Sequence, residues 1–120
     1  MSNNIKESLS ELLSIDGAMG ACIVDYKSGM NLGSEGAGVD LDLAAAGNSE
    51  VVKAKMETMR TLGIEGTIED ILITLDEQFH IIRPSSIHDG LFLYLVLNKS
   101  KSNLALARRR VESIESALDI

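Results

Sequence analysis

The sequence predicts an α+β fold: a five-stranded antiparallel sheet with helices on both faces, in the order α-β-β-α-β-β-β-α. Three observations carry this reading. Apolar residues recur at helical spacing near the start, in the middle and at the end of the chain. The strand-like runs between them are joined mainly by short turns, which suit antiparallel pairing. The last of these runs, from Leu91 to Leu97, is apolar at every position. A strand of that kind is central and covered on both sides.

The first helix is expected from about Asn3 to Ser14, where Ile5, Leu9, Leu12 and Leu13 share one face. Asn3 or Asn4 is its candidate N-cap, and Asp16-Gly17 ends it. Gly17 to Asp25 and Met30 to Ser34 form a hairpin around Ser28-Gly29. Gly33, Gly36 and Gly38 lead to a second helix from about Leu41 to Leu62, capped by Asp40 or Asp42 and closed by Gly63. Its apolar face is Leu41, Ala44, Ala45, Asn48, Val52, Met56 and Met59, with Val51 at the margin. Asn48 is out of place on such a face. Gly47 suits close approach of another backbone but costs about 1 kcal/mol of helix propensity. A third strand is expected over Thr67 to Leu75, with Glu69, Ile71, Ile73 and Leu75 on one face. After the turn at Asp76-Glu77, a fourth strand runs from Gln78 to Arg83 and stops at Pro84. Leu104, Ala107, Val111, Ile114 and Leu118 mark a last helix from about Lys101 to Leu118, with Ser100 or Ser102 as its cap.

The 120 residues fit one domain, 1–120, and only 3% are aromatic, so its core is aliphatic. The net charge of −7 disfavours nucleic acid and anionic membrane surfaces, since both are gripped through Lys and Arg. The opening from Met1 lacks a signal-peptide pattern, and no apolar stretch nears the ~20 residues of a membrane span. The expectation is a cytoplasmic protein with no membrane insertion. The single cysteine, Cys22, lies in an apolar run and is expected to be a buried, inert thiol.

The residues give little for catalysis. The glycines at 33, 36 and 38 match no phosphate-loop or dinucleotide spacing, and Glu35, Asp40 and Asp42 beside them repel anions. His80 and His88 have no ligand-spaced Cys, His or acid, so no metal site is expected. Ser85, Ser86, His88 and Asp89 contain the residue types of a triad, but neighbours in one turn rarely reach relay geometry. They read as turn chemistry. Arg108, Arg109 and Arg110 fan over about 200° of helix and form no single patch, with Arg108 placed to pair with Glu112. The expectation is no enzyme and no cofactor. The small, apolar second helix and a long edge strand instead invite a second copy of the chain, because an unpaired edge promotes association.

Three stretches bear a family resemblance. The run from Asp70 to Pro84 (Asp-Ile-Leu-Ile-Thr-Leu-Asp-Glu-Gln-Phe-His-Ile-Ile-Arg-Pro) resembles the third and fourth strands of the Roadblock (dynein light chain) family. Asn103-Leu-Ala-Leu-Ala-Arg resembles the opening of that family's last helix, with Ala105 where the family commonly has Gly. Gly17-Ala-x-Gly-Ala-x-Ile-Val-Asp with Ser28-Gly29 is similar to its first hairpin. The resemblance implies a profilin-like sheet with the second helix on one face and the first and last on the other. It implies a homodimer through the second helix and third strand, and the interface residues carried over are Ala45, Asn48, Val52, Met56, Ile71 and Ile73. It also implies a scaffold or regulator of a small Ras-like GTPase. The competing readings are a structural adaptor in an assembly without a GTPase and a small-molecule sensor on a profilin-like sheet.

Overall fold

The computed structural model describes residues 3–120. Met1 and Ser2, where the expected domain and the signal-peptide reading begin, lie outside them. The elements follow the expected order: α1 (Ile5–Leu13), β1 (Ala18–Asp25), β2 (Met30–Gly36), α2 (Leu41–Leu62), β3 (Ile71–Thr74), β4 (Gln78–Pro84), β5 (Leu91–Asn98) and α3 (Leu104–Ser116). The strands form one antiparallel sheet in the order β2-β1-β5-β4-β3. The non-alternating run is its central strand, and every residue from Phe92 to Leu97 is buried.

Two cores result from the two faces. Leu93, Leu95 and Leu97 of β5 pack with Ala21 and Ile23 of β1 and Ile81 of β4 under α1 and α3. Phe92, Tyr94 and Val96 join Cys22, Val24 and Ile82 under α2. The period-2 alternation of side chains divides the sheet in this way.

The helix ends follow local chemistry. Asp40 caps α2 by accepting from the Leu43 backbone N–H at 3.1 Å, and Gly63 closes the helix at φ 71°. The α3 cap departs from the expectation of Ser100 or Ser102. A single 3-10 turn occupies Lys99–Lys101, and Asn103 then caps α3 through the Leu106 N–H. Asn4 makes no cap bond of its own. Its side chain reaches the other terminus, donating to Ala117 O and accepting from Asp119 N.

β3 is shorter than the expected Thr67–Leu75. Asp70 is held by Arg108 of α3 in a two-bond ion pair, Oδ2 to Nε at 2.7 Å and Oδ1 to Nη2 at 2.9 Å. Arg108 therefore does not pair with Glu112. The chain ahead of Ile71 leaves the sheet edge at that anchor.

Candidate functional site

The chemistry-bearing loop residues turn away from one another. Ser85 Oγ accepts from the Ile87 and His88 backbone N–H groups, His88 Nε2 meets Leu118 O at 2.8 Å, and Asp89 pairs with Lys27 at 2.8 Å. Ser85 and Ser86 instead serve Glu115. This carboxylate is fully buried and accepts from Arg83 Nε at 3.0 Å and from the Ser86 N–H at 3.3 Å. The arrangement ties the β4–β5 loop to the end of α3. Cys22 is enclosed beneath α2, and burial pushes its thiol pKa up to about 12, so it stays a neutral thiol. Among the described residues no cluster of three or more potential metal ligands occurs, and no helix is long and apolar enough to cross a membrane.

What remains is a surface. α2 lies over β1 and β2, to one side of the sheet. Ala45, Ser49 and Val52 form its buried seam. The buried Ser49 hydroxyl is satisfied by donating to Ala45 O at 2.7 Å. The other half of this sheet face is only partly covered: Ile71 and Ile73 of β3 and Gln78 and His80 of β4 are all half-buried. Beside that half, α2 presents a second stripe. Leu43, Gly47, Val51, Thr58 and Leu62 are exposed and recur at steps of four and seven residues, which places them on one helical face. Leu43 is 70% exposed and Leu62 65%, far above what a helix packed only on its own sheet requires. A Cβ added to Gly47 would meet nothing within 4 Å. Inside this chain nothing needs that glycine.

The six expected interface residues divide accordingly. Ala45 and Val52 are fully enclosed by the chain's own core and have no area left to offer a second copy. Asn48, Met56, Ile71 and Ile73 are half-buried at the border of the open half-face. Sequence reasoning passed over Leu43 and Leu62. The available signal was a second apolar spacing on α2, offset from the first.

The polar residues of the half-face are linked in a chain. Tyr94 Oη meets His80 Nδ1 at 2.9 Å, and His80 Nε2 meets Gln78 Oε1 at 2.8 Å. Gln78 Oε1 can only accept, so Nε2 carries the proton and the neutral ring accepts from Tyr94 at Nδ1. The rings of His80 and Tyr94 meet edge-on, 5.6 Å apart at 86°. Burial lowers the His80 pKa and raises that of Tyr94. Alongside lies a groove of about 720 Å³, lined by Met56, Met59, Ile64, Ile68, Arg83 and Pro84 among others.

No family model and no curated protein matches this sequence. Solved structures do. A Roadblock/LC7 domain from Streptomyces avermitilis is 15% identical and superposes with a TM-score of 0.79, over 92% of this chain and 91% of that one. The gliding protein MglB from Thermus thermophilus is 21% identical with a TM-score of 0.82, over 96% and 85%. MglB from Myxococcus xanthus is 16% identical with a TM-score of 0.82, over 94% and 89%. The architecture is thus shared along nearly the whole chain, and this chain has the fold of the Roadblock/LC7 domains.

Proposed function

We propose that this chain is a non-catalytic, homodimeric interaction module that regulates or scaffolds a small Ras-like GTPase. The observation that carries the dimer is the second stripe of α2 beside a half-covered sheet face. An exposed glycine in mid-helix loses helix propensity without return unless another backbone comes close. A β3 edge bordered by Ile71 and Ile73 is also an open template for pairing. A two-fold copy answers both, bringing helix stripe to helix stripe and β3 to β3. Asn48, Met56, Ile71 and Ile73 then lie at the contact, with Leu43, Gly47, Val51 and Leu62 at its centre. One of the similar structures is described as MglB with a tetrameric arrangement, so self-association occurs on this fold. The GTPase partner rests on the family resemblance.

The self-association test is light scattering on the wild type and on Val51→Glu. Val51 is exposed, so the new charge is tolerated in the protomer but not in a closed contact. A dimeric wild type and a monomeric, folded Val51→Glu are expected; a monomeric wild type removes the dimer. Val52→Glu does not serve, because Val52 is sealed in the protomer core and a charge there unfolds it. The partner test is a pull-down with Ras-like GTPases loaded with GDP or a GTP analogue. Retention that depends on the nucleotide is expected; negligible binding in both states counts against this partner class. The groove beside α2 supports a second reading, a small-molecule sensor, which a ligand-dependent rise in melting temperature would favour.

A further inference from the structure

We propose that the outer face of α3 is a docking surface for a short acidic polypeptide segment that also presents an apolar side chain. The chain carries 11 Lys and Arg, and Lys99, Lys101, Arg108, Arg109 and Arg110 follow one another with no acid among them. Elsewhere the cations are mostly paired: Lys27 with Asp89, Lys53 with Glu50, Arg60 with Glu57 and Arg83 with Glu115. In the basic run only Arg108 is paired, by turning to Asp70. Lys99, Lys101, Arg109 and Arg110 are exposed and form no ion pair among the described residues. Lys99 lies over the Phe79 ring at 5.6 Å, and Arg110 Nη2 is 3.5 Å from Ser14 Oγ. An acidic protein thus leaves a group of its scarce cations uncompensated in one place.

Helical spacing arranges what is left. Ala107, Val111 and Ile114 form the buried stripe of α3. Leu106 lies outside that stripe and is 57% exposed. Arg109 follows it by three residues and Arg110 by four, so the two guanidinium groups flank Leu106 one turn on. Lys99 and Lys101 extend the surface past the start of the helix, where aligned peptide dipoles add positive potential. No acid stands in the first turn of α3 to offset it. Planar guanidinium groups grip carboxylates through paired hydrogen bonds, and Arg is enriched at protein interfaces. The size of the surface selects the partner. All 18 acids lie outside the basic run, so a nucleic acid or an anionic bilayer that reaches past it meets repulsion. A short segment covers the cations and Leu106 alone. α3 and α2 pack on opposite faces of the sheet, so this surface is independent of the dimer and leaves the α2 side open for a different partner.

The test is an NMR titration of the isotope-labelled full chain with a synthetic peptide of Glu interspersed with Leu. Its companions are the same peptide with Ser for Leu, phosphatidylserine vesicles and duplex DNA. The Glu–Leu peptide should shift the amides of residues 99–113 and leave those of α2 in place. Arg109→Glu should weaken its binding by about tenfold. Lys55→Glu is the matched control, an exposed cation on α2 whose reversal changes the net charge equally and should leave binding within about twofold. Leu106→Ser and the Ser peptide should each weaken binding by about fivefold, and the two losses should not add, since both remove one contact. Three results overturn the proposal: no binding of the Glu–Leu peptide at millimolar concentration, shifts centred on another surface, or equal losses from Lys55→Glu and Arg109→Glu. Tighter binding of the vesicles or the DNA than of the peptide overturns the choice of partner. The map on the wild type decides the matter even if a variant fails to fold.

Discussion

Glu115→Ala is expected to lower stability by about 3–5 kcal/mol, because it leaves the Arg83 guanidinium buried without its carboxylate. Arg83 is 14% exposed and Glu115 is 0% exposed, so little water reaches either group to replace the lost partner. The same carboxylate also receives Ser86 N–H and the Ser85 and Ser86 hydroxyls, so one truncation strands three donors on two residues of the loop as well. Glu112, 3.8 Å from Arg83 and exposed, is too far and too well solvated to substitute. Urea titration measures the loss. Glu115→Gln keeps acceptors for the serines but not the charge, and should fall between the wild type and Glu115→Ala. The double change Arg83→Met with Glu115→Leu should recover most of the loss, since removing both charges removes the uncompensated burial. A Glu115→Ala protein within about 1 kcal/mol of the wild type would mean the pair has ample water and the buried reading is mistaken.

That ion pair shows where sequence reading stops. The order of elements was legible, because each depends on a local signal: helical spacing for α2 and α3, the Ser28-Gly29 turn for the first hairpin, a non-alternating run for β5. What escaped depends on residues far apart in the chain. Glu115 reads as one more exposed acid of an amphipathic helix until Arg83 and the β4–β5 loop are folded over it. Arg108 has a suitable partner one helical turn away in Glu112, yet it takes Asp70 across the fold and thereby shortens β3. The face of α2 was likewise legible as apolar, while its division into a sealed seam and an open stripe was not. Spacing fixes which residues share a face; only the placement of the helix over β1 and β2 decides which of them remain uncovered.

The placement of α2 itself depends on Gly20, and Gly20→Ala is expected to destabilise the protein by about 3 kcal/mol, the upper end for overpacking. Gly20 is buried in β1 opposite Gly36 of β2, where the chain leaves the sheet to begin its crossing toward α2. A Cβ on Gly20 would sit 2.2 Å from the Ala37 carbonyl oxygen, well inside contact distance and against backbone that no rotamer change can clear. Ala37 cannot retreat freely, because its N–H donates to Met19 O at 2.8 Å. Gly36 is constrained from the other side, with φ at 88° and Met19 O 2.3 Å from its would-be Cβ. The two glycines therefore let β1 and the exit of β2 close face to face, and the crossing inherits its direction from that contact. Pushing Ala37 away shifts Val39 and Leu41, which pack on the core beneath α2, so the loss should be felt there and not in the α1–α3 layer. Thermal denaturation gives the size of the loss, and exchange protection gives its location. Gly47→Ala is the matched control: its Cβ meets open space, so it should raise protomer stability by about 0.5–1 kcal/mol while weakening self-association. If Gly20→Ala were as mild as Gly47→Ala, the close crossing of β1 and the β2 exit would not be what sets the helix in place.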